Sequence, residues 1–269
     1  MLIGIKGLVL RTIQRTDSDR LIVLFTVERG KITVCAKGTR SAKSKILSCI
    51  EPFSYSEFIL YEKDGLFWIK EANLIESFYS IREDVIKLSL ASYICEVLDI
   101  SVYENMEELE LLRLGLNSLY AIASELRPAL MVKAVFEMRA SMLLGFAPFV
   151  ERCSKCSKSS ANEFYFSLHD GEVVCSDCRG SALKEYMDLR ANVNADEEIR
   201  FASQIFRTSE AVRSAISYII TCPSDKIYGF TMSDDEFINL AKLCEEHLIY
   251  RLEKRPKTLA FYHEVSAMM

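Results

Sequence analysis

The chain has 269 residues, 50% of them apolar and 26% charged, which is ordinary globular composition with room for two or three domains. Its net charge is −5, yet residues 1–50 hold ten Lys or Arg against three Asp or Glu, a local charge of +7 that leaves −12 elsewhere. The longest uncharged runs, such as 114–124, have 11 residues, whereas a membrane-spanning helix needs about 20. Composition therefore argues against such a helix. The basic N-terminal part and the acidic remainder call for separate assignment of partners.

The cysteine usage indicates a reducing compartment. Four of the nine cysteines form one cluster, and the other five lie scattered in apolar runs, where we interpret them as buried free thiols. The first residues lack the basic and then apolar pattern of a signal peptide. We therefore expect a cytoplasmic protein.

Residues 1–80 have the pattern of a small β-barrel. Alternating apolar residues predict strands at 7–14, 19–27, 31–37, 52–62 and 66–75, with turns at Gly30 and at Asp64-Gly65. Five strands in about 75 residues without a long helix between them are typical of the five-stranded oligonucleotide-binding (OB) barrel. This is the predicted N-terminal domain.

A basic loop joins the third and fourth predicted strands. Lys37, Arg40, Lys43 and Lys45 occur there among Gly, Ser, Thr and Ala, without an acidic residue. Amines and hydroxyls are groups that donate hydrogen bonds to phosphate oxygens, and Arg11 and Arg15 lie near enough in the predicted barrel to extend the patch. The loop predicts a DNA-binding surface, although a solvated loop without a partner would have the same composition.

Helical patterns follow from Ser80 onward. Ser80 and Glu83 have capping-box spacing, and further helices are predicted at 106–124, from Pro128 to Gly145, at 182–189, at 196–221 and at 233–252. The tail adds a basic cluster, which could contact DNA or an acidic peptide or form a solvated helix end: Arg251, Lys254, Arg255 and Lys257. The apolar stripes of these helices are interpreted as core.

Two CxxC pairs interrupt the helical part. They are Cys153 with Cys156 and Cys175 with Cys178, and the residues between them have the alternation and the turn of a hairpin. Two such pairs bring four thiolates onto a tetrahedral centre, so we predict one structural Zn²⁺ per chain. Disulfides fit less well because the chain shows no secretory signal, and a thioredoxin-type redox pair would need one CxxC that opens a helix after a strand. A catalytic zinc needs an open coordination position, which four thiolates do not leave.

Several of these segments together resemble the RecO family of bacterial recombination mediators. The matching segments are GLVLR at 7–11, DR at 19–20, ERGK at 28–31, AKGTR at 36–40, PF at 52–53, IRED at 81–84, the cysteine quartet and FYFS at 164–167. The resemblance implies an α+β multidomain protein. Its expected parts are an OB-fold nucleic-acid-binding domain at 1–80, an α-helical domain at 81–149 and 181–269, and a zinc-binding insertion at 150–180.

The resemblance also implies a function. Such proteins bind single- and double-stranded DNA, anneal complementary strands, and act with RecR to load RecA onto DNA coated with single-stranded DNA-binding protein (SSB), whose C-terminal tail they contact. A member would be nucleoid-associated in a bacterium. The residues themselves also allow a zinc-containing protein-interaction module without annealing activity. We predict no enzyme and no catalytic residues, because His169, His247 and His263 are scattered and no GxxxxGK[ST] phosphate loop is present.

Overall fold

The computed structural model describes residues 2–39, 46–188 and 204–268. The chain divides into two compact units, one formed by Met1–Val132 with Arg255–Met269 and the other by Lys133–Lys254. In chain order, a closed barrel is followed by a helical region that contains the cysteine cluster. This confirms the predicted fold class, while the three-part division at 80, 150 and 180 stays a prediction. Across the described ranges, the helices all lack the length and apolarity needed to cross a membrane.

The barrel consists of five strands: β1 (Leu2–Gln14), β2 (Arg20–Thr26), β3 (Gly30–Ala36), β4 (Tyr55–Lys63) and β5 (Leu66–Glu76). Their order is β1-β2-β3-β5-β4, with β4 returning to β1. β3 and β5 pair in parallel, and the other pairs are antiparallel. Alternate residues such as Ile22, Leu24, Phe58 and Leu60 fill the interior, as the two-residue side-chain period requires. A short helix, α1 (Leu47–Ile50), contributes Cys49 and Ile50 to this core.

Helices complete the first unit: α2 (Val85–Ser101), α3 (Leu109–Ala123), the start of α4 (Ala129–Leu143) and α8 (Lys257–Ser266). The predicted capping box at Ser80 is wrong. Residues Tyr79–Glu83 form a 3₁₀ turn, and Asp84 caps α2 by accepting hydrogen bonds from the N–H groups of Ile86 and Lys87. Both residues belong to types that favour caps, but only Asp84 has the extended backbone that an N-cap needs.

The second unit combines helices with a small sheet. Besides most of α4 it contains β6 (Phe164–Ser167), β7 (Glu172–Cys175), α5 (Ser176–Asp188), β8 (Ile205–Thr208), α6 (Glu210–Thr221) and α7 (Asp234–Leu252). The strand order is β7-β6-β8. The hairpin predicted between the cysteine pairs is thus confirmed, as is the helix predicted at 233–252.

The helix predicted at 196–221 is wrong in its middle part. Residues 205–208 form β8, which pairs antiparallel with β6 from Ser167 opposite Ile205 to Phe164 opposite Thr208. Ser209 then caps α6 through the N–H of Val212, so the helix begins only at Glu210. Residues 196–203 of that prediction lie outside the described residues. Residues 205–208 are extended because they pair with the edge of β6. The apolar periodicity within the segment gives no information about that edge.

Candidate metal centre and basic barrel surface

The four clustered cysteines come together at the end of the β6–β7 hairpin. Cys153 and Cys156 lie in a turn before β6, Cys175 ends β7, and Cys178 lies in the first turn of α5. All four Sγ atoms lie within 4.8 Å of one another, and those of Cys156 and Cys175 are 3.7 Å apart. Tetrahedral zinc with Zn–S bonds of about 2.3 Å places sulfur atoms about 3.8 Å apart. The quartet can therefore hold a metal ion.

Backbone N–H groups near the cysteine quartet favour the thiolate form of Cys153. The backbone N–H of Cys175 lies 3.3 Å from Cys153 Sγ as a hydrogen-bond donor. Burial raises the pKa of the Cys153 thiol, but hydrogen bonds from the backbone N–H groups of Cys175, Cys156 and Lys155 outweigh it and lower that pKa to about 6. Side-chain hydrogen bonds with Cys156 and Cys175 raise the pKa of Cys178 to about 12. A cation bound by all four sulfurs would hold each of them as a thiolate, so the hydrogen bonds between the thiols would no longer be needed.

Two side chains outside the quartet, Arg213 and Lys158, hold the cysteine turns in place. Arg213 of α6 is 6% exposed and donates hydrogen bonds to the carbonyls of Val150 and Glu151, 2.8 and 2.7 Å away, just before the first CxxC pair. Its guanidinium also lies 3.6 Å from the ring centroid of Phe164 on β6. Lys158 forms an ion pair of 2.9 Å with Asp177, which joins the two cysteine turns at the surface. The sequence pattern identified neither contact, because each partner is distant in the chain.

The barrel presents a basic surface where β1 and β3 end, which we call the Trp68 surface: Arg15, Lys37 and Trp68. Lys37 Nζ lies 4.4 Å and the Arg15 guanidinium carbon 5.6 Å from the Trp68 ring centroid. Arg15 also donates to Cys35 Sγ at 3.2 Å. Two cations thus gather around the chain's single tryptophan. Trp68 is not among the site residues predicted from the sequence, although a single tryptophan near the start of a predicted barrel strand could have indicated it.

The predicted DNA-binding residues differ in their surroundings. Arg11 Nε lies 2.7 Å from Asp99 Oδ2, and Lys31 contacts the same carboxylate at 3.2 Å. Lys37 is exposed on the Trp68 surface. The other three predicted residues lie outside the described part of the chain: Arg40, Lys43 and Lys45.

The chain leading into the basic loop is tied to the β1–β2 turn. Thr39 donates from both its backbone N–H and its hydroxyl to the carbonyl of Ser18, at 2.8 and 3.0 Å. Gly38 adopts a positive φ of 66° and donates to Asp19 Oδ1 at 3.3 Å. These bonds fix where the basic loop leaves the barrel, next to Lys37.

Comparison with known proteins identifies the family. The family model described as Recombination protein O N terminal matches residues 1–78, and the one described as Recombination protein O C terminal matches residues 82–186. The DNA repair protein RecO of Acetivibrio thermocellus is 30% identical over 255 residues, which are 95% of this chain and 94% of that protein. The chain belongs to the RecO family.

Two further members of the RecO family are also similar to this chain. The DNA repair protein RecO of Alkaliphilus metalliredigens is 33% identical over 67% of this chain and 73% of its own. That of Clostridium perfringens is 27% identical over 94% of both chains. The family assignment drawn from short segments of the sequence is thereby confirmed, and it makes this chain a member of a family of DNA repair proteins.

Proposed function

We propose that this protein is a recombination mediator. It binds single- and double-stranded DNA, anneals complementary strands, and with RecR helps to load RecA onto single-stranded DNA coated with SSB, whose C-terminal tail it contacts. This proposal rests on one observation. The chain belongs to the RecO family, and its five-stranded barrel has Lys37 and Arg15 on one surface.

The proposed mechanism is electrostatic. Lys37, Arg40, Lys43 and Lys45 neutralise phosphates and release counterions, so binding is independent of sequence and weakens with salt. Two strands held on one basic surface repel each other less, which accelerates their pairing. Arg11 contributes only the donors that Asp99 leaves available, because its Nε is already engaged with that carboxylate.

The proposed metal is one structural Zn²⁺ held by Cys153, Cys156, Cys175 and Cys178. The spacing of the sulfurs and the N–H donor to Cys153 support it. Four protein ligands would fill a tetrahedral shell, so the ion would join the turn before β6 to the start of α5. We propose no catalytic role for it and no covalent chemistry for the protein.

The salt dependence of DNA binding tests the surface. We expect the combined variant with Lys37, Arg40, Lys43 and Lys45 replaced by Ala to bind all sequences more weakly and to show a flatter plot of log K against log salt. Each lost phosphate contact reduces the slope by about 0.7 to 0.9. Lys226→Ala, at an exposed lysine of the second unit, is the control and leaves the slope unchanged. An unaltered slope in the combined variant contradicts the assignment of this loop.

A further inference from the structure

Trp68 lies on the outer face of the barrel wall. Its neighbours Phe67 and Ile69 pack in or against the barrel core, so the two-residue period of β5 directs Trp68 outward. It pairs in register with Cys35 of β3 on one side and with Tyr61 of β4 on the other. The ring is half-buried, and so it remains accessible from solvent along part of its surface.

Two features distinguish this ring from an ordinary packing residue. Lys37 and Arg15 both approach it at cation–π distances of 4.4 and 5.6 Å. Among the residues that the structure describes, none accepts a hydrogen bond from its buried indole N–H. In the described part of the chain, the ring therefore has two cations beside it and no hydrogen-bond partner. An aromatic platform beside cations is the arrangement by which proteins hold single strands, with bases stacked on rings and phosphates on charges.

We propose that Trp68 is a base-stacking residue that makes the Trp68 surface prefer single-stranded over duplex DNA. A base can stack on the ring once Lys37 or Arg15 moves from the ring to the adjacent phosphate. The cation gains by this move because a phosphate anion binds it more strongly than the ring does. Bases in a duplex are already stacked on their neighbours and cannot reach the ring without unpairing. The ring thus adds affinity for single strands, whereas Lys37 and Arg15 add affinity for both forms. This inference rests on the proposed DNA-binding function.

The size of the effect follows from base–aromatic stacking, which contributes about 5- to 150-fold in affinity for each base by alanine substitution. We therefore expect Trp68→Ala to weaken binding of single strands by about tenfold and to leave duplex binding within about twofold. Trp68→Phe keeps a ring and restores most of the preference, and Trp68→Leu keeps apolar bulk without a π face and does not.

The test uses the full chain and three labelled probes with matched numbers of phosphates: an oligo-dT single strand, a single strand with abasic sites throughout, and a hairpin duplex. Fluorescence anisotropy gives the affinities of the wild type and the three variants, and circular dichroism confirms that each variant is folded. Because the chain has one tryptophan, quenching of the intrinsic emission of the wild type reports on Trp68 directly.

The inference is supported if oligo-dT quenches the emission and binds more tightly than the abasic strand, and if this difference disappears in the Ala and Leu variants but persists in the Phe variant. It is overturned if the wild type binds DNA while Trp68→Leu weakens oligo-dT, abasic and duplex probes equally, or none of them; the proposed DNA-binding function then stands. Absence of binding to all three probes by the wild type overturns both.

Discussion

Lys133 of α4 and Glu245 of α7 form an ion pair of 2.6 Å inside the second unit, where neither side chain is more than 9% exposed. Glu137 contacts the same ammonium at 2.7 Å. Burial alone would lower the pKa of Lys133, but the carboxylates of Glu137 and Glu245 raise it above its ordinary value, so the lysine stays charged. The cluster joins α4 to α7 across 112 positions of sequence.

Removing the lysine leaves two buried carboxylates without their cation. We expect Lys133→Met to lower the free energy of unfolding by about 3–5 kcal/mol, the usual cost of breaking a buried pair on one side. Urea denaturation followed by circular dichroism measures it. Arg113→Ala, which breaks the exposed Arg113–Glu110 pair, serves as the control and costs less than about 0.5 kcal/mol. Equal effects of the two substitutions would contradict this account of the cluster.

His247 of α7 makes the stability of the second unit dependent on pH. Burial lowers its pKa to about 4, and the nearby Arg251 charge adds to the effect, against a raising contribution from the hydrogen bond to the Phe146 carbonyl. The unfolded chain protonates this histidine near pH 6.5 and the folded chain only near pH 4, so stability falls as pH falls from about 6.5 to 4, by up to about 3 kcal/mol.

Comparison of the wild type with His247→Gln isolates this contribution from the titration of carboxylates. We expect the difference in the free energy of unfolding between pH 7 and pH 4.5 to be smaller in the variant by about 2 kcal/mol. His263→Gln, at an exposed histidine of α8, serves as the control substitution. Parallel pH profiles for the wild type and His247→Gln would show that His247 is not the responsible group.

Within the first unit, a carboxylate of α2 holds the start of helix α8. Glu96 of α2 accepts hydrogen bonds from the backbone N–H groups of Lys257 and Thr258, at 3.0 and 2.8 Å, and so caps α8 from outside it. We expect Glu96→Ala to cost about 1–2 kcal/mol and to accelerate hydrogen exchange in residues 257–266. Glu96→Gln retains an acceptor and should cost less. Unchanged exchange in α8 would contradict the capping role.

Features that depend on residues close together in the sequence were predicted correctly, and features that depend on distant residues were missed. Barrel turns were recognisable because Gly30, Asp64 and Gly65 adopt the positive φ values that such residues tolerate. The cysteine quartet was recognisable because its spacing is local to one hairpin. Helix α8 was missed because a residue 162 positions away caps it, and β8 was missed because its partner is the strand β6 at 164–167, which lies far from it in the sequence.

The candidate DNA surface shows the same limit. Charge in a short window identified Lys37, and the proximity of Arg15 followed from the barrel prediction. Trp68 joins them only through the parallel pairing of β3 with β5, which places it opposite Cys35. Arg11 also forms an ion pair with Asp99, which lies 88 positions away, and no local pattern predicts that pair.

The cysteine quartet predicts one zinc ion per purified chain by elemental analysis. Cys156→Ser should lose most of the metal and lower the Tm of the protein by at least about 5 °C, because binding of a structural metal adds directly to folding stability. Cys222→Ser, at a buried thiol outside the quartet, should retain the metal. Full zinc content in Cys156→Ser would show that the ion lies elsewhere.

The proposal of a recombination mediator is tested most directly by annealing of two complementary oligonucleotides, each coated with SSB, in the absence of ATP. We expect the protein to accelerate duplex formation, and we expect the variant with Lys37, Arg40, Lys43 and Lys45 replaced by Ala to be slower while Lys226→Ala matches the wild type. A folded, metal-loaded protein that leaves the annealing rate unchanged would contradict the proposal and favour a protein-interaction module without annealing activity.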